Sequence, residues 1–135
     1  KEEYERWLQS EDDLIAEWAQ RHVDLLDRDE KPQTEVGFEI QTIQFGRSLL
    51  MAAMAGEMCV EYGLRIRKEL GSQFGLVWPM GYANAMAGYI CSERQIPEGG
   101  YEVFASMQYN GNTGPWRSGT EEQIIEALAA VCQNE

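Results

Sequence analysis

The sequence predicts an α/β fold: a small mixed sheet with a β-hairpin, a parallel strand-helix-strand unit and flanking helices. Three observations carry that expectation. Leu49–Met54 and Leu76–Met80 are short apolar runs bounded by turn residues, as expected of strands buried within a sheet. Val60–Leu70 between them has helical spacing, and a connection of that length makes the two strands parallel. Val36, Phe38, Ile40 and Ile43 approximate the alternation of a half-buried strand, and the turn at Phe45-Gly46-Arg47 pairs residues 36–44 with the following apolar run.

The remaining elements follow in chain order. Tyr4, Leu8, Ile15, Trp18, His22 and Leu25 recur at intervals close to helical, which predicts one long amphipathic helix ending near Arg28, before Lys31-Pro32-Gln33. After Met54, Gly56 releases the chain and Glu57 to Cys59 are expected to open the next helix, with Gly71 as its left-handed stop. From Gly81 to Gly119 turn residues are dense, and one short strand is expected at Tyr101–Met107. Thr120-Glu121-Glu122-Gln123 reads as a capping box opening a last helix whose apolar face is Ile124, Ile125, Leu128 and Val131. No repeat or linker divides the chain, so residues 1–135 read as a single α/β unit.

Composition restricts the partners. The 135 residues carry 23 acids against 11 Lys and Arg, a formal net charge of −12, and no basic patch offsets it. Nucleic acid and anionic bilayers are therefore poor partners. No stretch approaches the ~18 apolar residues that span a bilayer, and no signal-peptide pattern is present. The three cysteines, Cys59, Cys91 and Cys132, are far apart without metal-knuckle spacing and read as small hydrophobes. The chain begins at Lys1 rather than Met, so a processed product or a piece of a longer protein is expected.

Chemistry concentrates where the two parallel strands end, since ligands in such sheets bind beyond the strands' carboxyl ends. Gly56-Glu57 follows one strand and Gly81-Tyr82-Ala83-Asn84 through Gly88-Tyr89 follows the other, so Glu57 and Tyr89 can share one rim. Glu57 suits a metal ligand or an anchoring carboxylate, and equally an ordinary acid in the first turn of a helix. Tyr89 offers a phenol that a cation could hold as phenolate, although Tyr82, Tyr101 and Tyr109 are rivals on the same rim. His22, the single histidine, lies on an apolar helix face and reads as a core imidazole. Cys59 at a helix start could have a lowered thiol pKa and serve as a nucleophile, or simply pack. Met51, Met54, Met58, Met80 and Met86 bracket the rim as core filling or as pocket lining for an alkyl chain.

Two strings, Ala55-Gly56-Glu57-Met58-Cys59-Val60-Glu61-Tyr62-Gly63-Leu64-Arg65-Ile66-Arg67 and Gly81-Tyr82-Ala83-Asn84-Ala85-Met86-Ala87-Gly88-Tyr89, followed by Gly99-Gly100-Tyr101-Glu102, resemble the neutral/alkaline (non-lysosomal) ceramidase family. The likeness is nearest to uncharacterised bacterial members and extends from about Trp18 to the last helix. It implies a zinc-dependent amidase acting on an N-acyl, sphingolipid-type amide. It assigns Glu57 and Tyr89 to the metal, with no catalytic residue of its own in this stretch. Two histidine ligands and a serine lie upstream in the family and have no match here, which implies the carboxyl-side part of a catalytic domain, inactive alone. The implied partners are the remainder of that domain or another subunit, and a lipid amide substrate. Ala55 stands where the family usually has Pro, and Ile90-Cys91-Ser92 where it favours a Thr-containing segment. Two readings stand beside it: a noncatalytic α/β protein-interaction module that retains the fold, and a thiol hydrolase built on Cys59.

Overall fold

In the computed structural model, which describes residues 1–133, the hairpin forms first along the chain's sheet. Strand β1 (Ile40–Phe45) runs antiparallel to β2 (Leu49–Met54), pairing Ile40 with Met54 and Phe45 with Leu49. Strand β1 thus starts four residues later than the alternation from Val36 suggests. A third strand, β4 (Leu76–Met80), lies parallel to β2, with Leu49 opposite Leu76 and Ala53 opposite Met80, giving the order β1-β2-β4. Helix α3 (Val60–Leu70) makes the crossover between β2 and β4, as a parallel pair requires. The α/β expectation, with its hairpin and its parallel strand-helix-strand unit, is met.

The sheet has one covered face and one open face. Leu50, Ala52, Met54 and Val77 point inward against Tyr62, Ile66 and Leu70 of α3 and against Ile124, Ile125 and Leu128 of helix α6 (Thr120–Gln133). The opposite face carries three cross-strand rows: Phe45, Leu49 and Leu76; Ile43, Met51 and Trp78; Gln41, Ala53 and Met80. No helix of the described residues covers these rows, and Phe45, Leu76, Trp78 and Ile43 are 58%, 58%, 51% and 46% exposed.

Four local expectations are corrected. The long N-terminal helix is two helices, α1 (Glu2–Glu5) and α2 (Asp13–Asp27). The Asp12 carboxylate accepts from the Leu14 amide at 3.0 Å and Ser10 Oγ accepts from the Asp12 amide at 3.2 Å, so capping chemistry restarts the helix in mid-pattern. After the short helix α4 (Gln95–Glu98), Tyr101–Ala105 is a turn of π-helix running into α5 (Ser106–Tyr109), not a strand. Val103 and Met107, four residues apart, are both buried there, which is the spacing a helix satisfies.

Gly71 ends α3 in the right-handed region at φ −63°. The capping box does not form: the Thr120 hydroxyl donates to the Arg117 carbonyl at 2.8 Å. A distant acid takes over that end of α6, with the Gly119 amide donating to Glu93 Oε2 at 2.8 Å and the Ser118 hydroxyl donating to the same carboxylate. Arg65 then ties α3 to α6 through Glu121 at 2.9 Å and Glu122 at 2.6 Å, while also holding Glu69 on its own helix at 2.7 Å.

Candidate functional site

A second, two-stranded sheet builds the polar corner where β2 and β4 end. Strand β3 (Glu57–Met58) lies parallel to β5 (Tyr89–Ile90), with Glu57 directly opposite Tyr89. Glu57 therefore does not open a helix. It sits in an extended strand before the Cys59 cap of α3, so the pairing with β5 rather than a helix dipole fixes its position. Met58 and Ile90 pack with the core cluster, and alternation turns their neighbours Glu57 and Tyr89 away from it.

Backbone bonds lock this arrangement from both sides. The Glu57 amide donates to the Gly88 carbonyl at 2.8 Å, the Gly56 amide to Ala85 at 3.0 Å, and the Tyr82 amide to the Gly56 carbonyl at 2.8 Å. Gly56 has φ +79°, and a Cβ there would stand 2.8 Å from the Gly88 carbonyl oxygen. Only glycine lets the two strands approach this closely without strain.

Tyr82 and Asn84 hold left-handed backbone, with φ of +58° and +64°. Such a conformation is unusual for an aromatic residue and tends to concentrate at functional turns. The Tyr82 phenol interacts with the Glu57 carboxylate, while Asn84 Nδ2 donates to Gln41 Oε1 at 3.3 Å. Hydrogen bonding to Glu57 pushes Tyr82 up to about 12, with desolvation second. The same carboxylate raises Tyr89. The Tyr101 ring meets Tyr89 edge-on at 5.8 Å.

The result is a carboxylate flanked by two phenols on a rim open to solvent. Among the described residues no ion pair reaches Glu57, in contrast to Glu61, which faces Arg94 at 2.5 Å. Hard oxygen donors of this kind suit a cation, whose charge would reverse the preference of the phenols for their neutral form. Among the described residues no group of three or more His, Cys, Asp or Glu could hold a metal ion. Glu57 and Tyr89 offer two oxygen donors, against the three protein ligands usual in a catalytic zinc site.

The other candidates sit elsewhere. His22 is buried, its Nδ1 2.8 Å from the Trp18 carbonyl and its ring stacked on Tyr4 at 4.6 Å, which is a packing role. Tyr109 donates to Asp12 Oδ2 at 2.5 Å and so serves the cap of α2. Burial raises the Cys59 thiol, and pushes Cys91 beside it up to about 12, opposite to what a nucleophilic thiol needs. Met54 and Met58 belong to the core or its border, Met51 lies on the open sheet face, and Met86 is exposed.

Tyr82 is the partner whose importance spacing understated. Its left-handed backbone has no signature in a tyrosine, and only the neighbouring Gly81 and Asn84 hint at a tight turn. Behind β5, Trp116 Nε1 donates to the Tyr89 carbonyl at 2.6 Å and walls a groove of about 740 Å³ shared with Phe38, Ile40, Ile90 and Ile124. Among the described residues, no helix is long and apolar enough to cross a membrane. Comparison with family models, with curated proteins and with solved structures gives no match to this chain.

Proposed function

We propose that this chain is a fragment or subunit of a ceramidase-like zinc-dependent amidase that hydrolyses an N-acyl, sphingolipid-type amide, and that Glu57 and Tyr89 supply part of its metal shell. The observation that supports this reading is the register pairing of Glu57 with Tyr89, which sets a carboxylate and a phenol side by side on an open rim. When bound, zinc supplies Lewis-acid polarisation of the amide carbonyl. The residues of this chain bind and orient: Glu57 brings the negative charge, Tyr89 the second oxygen, and the Tyr82 phenol interacts with the same carboxylate. Two ligands fall short of the usual three-ligand catalytic cage, so the isolated chain is expected to hold zinc weakly and to be inactive.

The test is zinc titration and amide hydrolysis by this chain combined with the upstream part of the same open reading frame. Glu57→Ala should lower zinc affinity at least tenfold and abolish turnover. Unchanged metal content and turnover in that variant would discard the assignment.

The open apolar sheet face favours a second reading, a noncatalytic α/β interaction module. An upstream reading frame without His-containing motifs would select it.

A further inference from the structure

We infer that Cys59 and Cys91 are a redox pair: oxidation by a small-molecule disulfide joins them and clamps strand β3 to β5. The first ground is register. Glu57 stands opposite Tyr89 and Met58 opposite Ile90, and the Cys59 amide continues the ladder by donating to the Ile90 carbonyl at 3.2 Å. Cys59 and Cys91 are the next residues along the two segments. Neighbouring strands lie about 4.8 Å apart, inside the range of roughly 4.4–6.8 Å between Cα atoms that a disulfide spans.

The second ground is contact. Both residues are thiols in this structure, and their side chains hydrogen-bond each other. Their backbones are fixed independently: Cys59 is the cap residue at the start of α3, and the Cys91 carbonyl accepts from the Tyr62 hydroxyl of that helix at 3.1 Å. Cys59 is half-buried while Cys91 is 1% exposed, so a reagent reaches Cys59 first. The third cysteine, Cys132, lies at the C-terminal end of α6, where its carbonyl accepts from Gln44 of β1 at 3.4 Å, outside the β3–β5 ladder.

The Cys59 sulfur attacks one sulfur of the small disulfide, forming a mixed disulfide and releasing one small thiol, which carries the proton that Cys59 loses. The Cys91 sulfur then attacks Cys59 Sγ and releases the second small thiol with the Cys91 proton. The protein gives up two electrons and two protons, and the small disulfide takes them. Burial slows this exchange and also shields the finished bond from reductant, which suits a lasting staple rather than a catalyst. The bond closes a loop containing α3 and β4 and so restrains the unfolded chain. Each cysteine lies two residues beyond a member of the Glu57–Tyr89 pair, so the staple holds that corner in register. It depends on the β3–β5 pairing and not on the amidase reading.

The test oxidises the full folded chain with oxidised glutathione, quenches with acid, alkylates under denaturing conditions and maps the peptides by mass spectrometry. The Cys59 and Cys91 peptides should appear joined, with Cys132 alkylated. Separate alkylation of the pair, glutathione caps left on it, or a link of either member to Cys132 overturns the pairing. So does an equal yield of the Cys59–Cys91 link from chain oxidised in urea, since proximity in the fold then plays no part. The variant Cys132→Ser, checked for unchanged circular dichroism, should keep the link, and its loss there also overturns the pairing. The linked chain should unfold about 5 °C or more above the reduced chain, and its Glu57 amide should exchange hydrogen about tenfold more slowly. A linked chain without that slower exchange overturns the clamp, whatever its unfolding temperature.

Discussion

Leu50 and Met51 are adjacent in β2 and face different surroundings. Leu50 is fully buried against α3 and α6, whereas Met51 lies between Ile43 and Trp78 on a face that no described helix covers. Both residues are apolar, so composition does not distinguish the two sides of this strand; only its position between layers does. The difference teaches that burial within this chain accounts for half of the sheet's apolar pattern.

The largest effect that can break this comparison is on stability. Leu50→Ala should destabilise by about 3 kcal/mol, the transfer and cavity cost of a fully buried leucine, while Met51→Ala in the isolated chain should cost under about 1 kcal/mol. Urea unfolding of both variants measures the contrast, and equal losses would mean that the open face is covered after all.

A smaller effect is expected where β2 hands over to the polar corner. Gly56→Ala combines a left-handed backbone with a Cβ 2.8 Å from the Gly88 carbonyl, so a loss of about 2 kcal/mol is expected. Faster hydrogen exchange of the Glu57 amide, which bonds that same carbonyl, would locate the damage in the β3–β5 pair.

The smallest effect separates the corner from the covered core by pH. Tyr82 has its folded pKa raised to about 12 by Glu57, against about 10 for an ordinary tyrosine. The folded state then holds this proton more tightly than the unfolded one, so the contribution is complete below pH 10 and is lost as pH rises through about 12. Glu57→Gln should bring Tyr82 back toward the ordinary range, read as earlier tyrosinate absorbance. No change in the alkaline titration would detach Tyr82 from Glu57.

Much of the architecture was legible in the residues. The apolar runs at Leu49–Met54 and Leu76–Met80, with a helix between them, specified the parallel pair, and the turn at Gly46 specified the hairpin. Elements with strong, uninterrupted periodicity are legible because the same side chains that set the period also make the core. The apolar spacing of a single N-terminal helix carries across Ser10–Asp12, where capping competes with helix propagation and wins. The aromatic and β-branched residues of Tyr101–Met107 suit a pleated surface, yet Val103 and Met107 bury together on a helical turn.

The candidate site divides in the same way. Composition and order placed Glu57 and Tyr89 near one rim, and the register of β3 with β5 set them opposite each other.

By itself the sequence determined the α/β class, the parallel crossover and the acidic surface, because these depend on local period, turn chemistry and a charge count. Tertiary structure decided that Glu57 lies in a strand rather than a helix, that Tyr82 is its neighbour, and that one apolar face of the sheet stands open. Each of those depends on which segments meet across the chain, and long-range pairing leaves no local period to read.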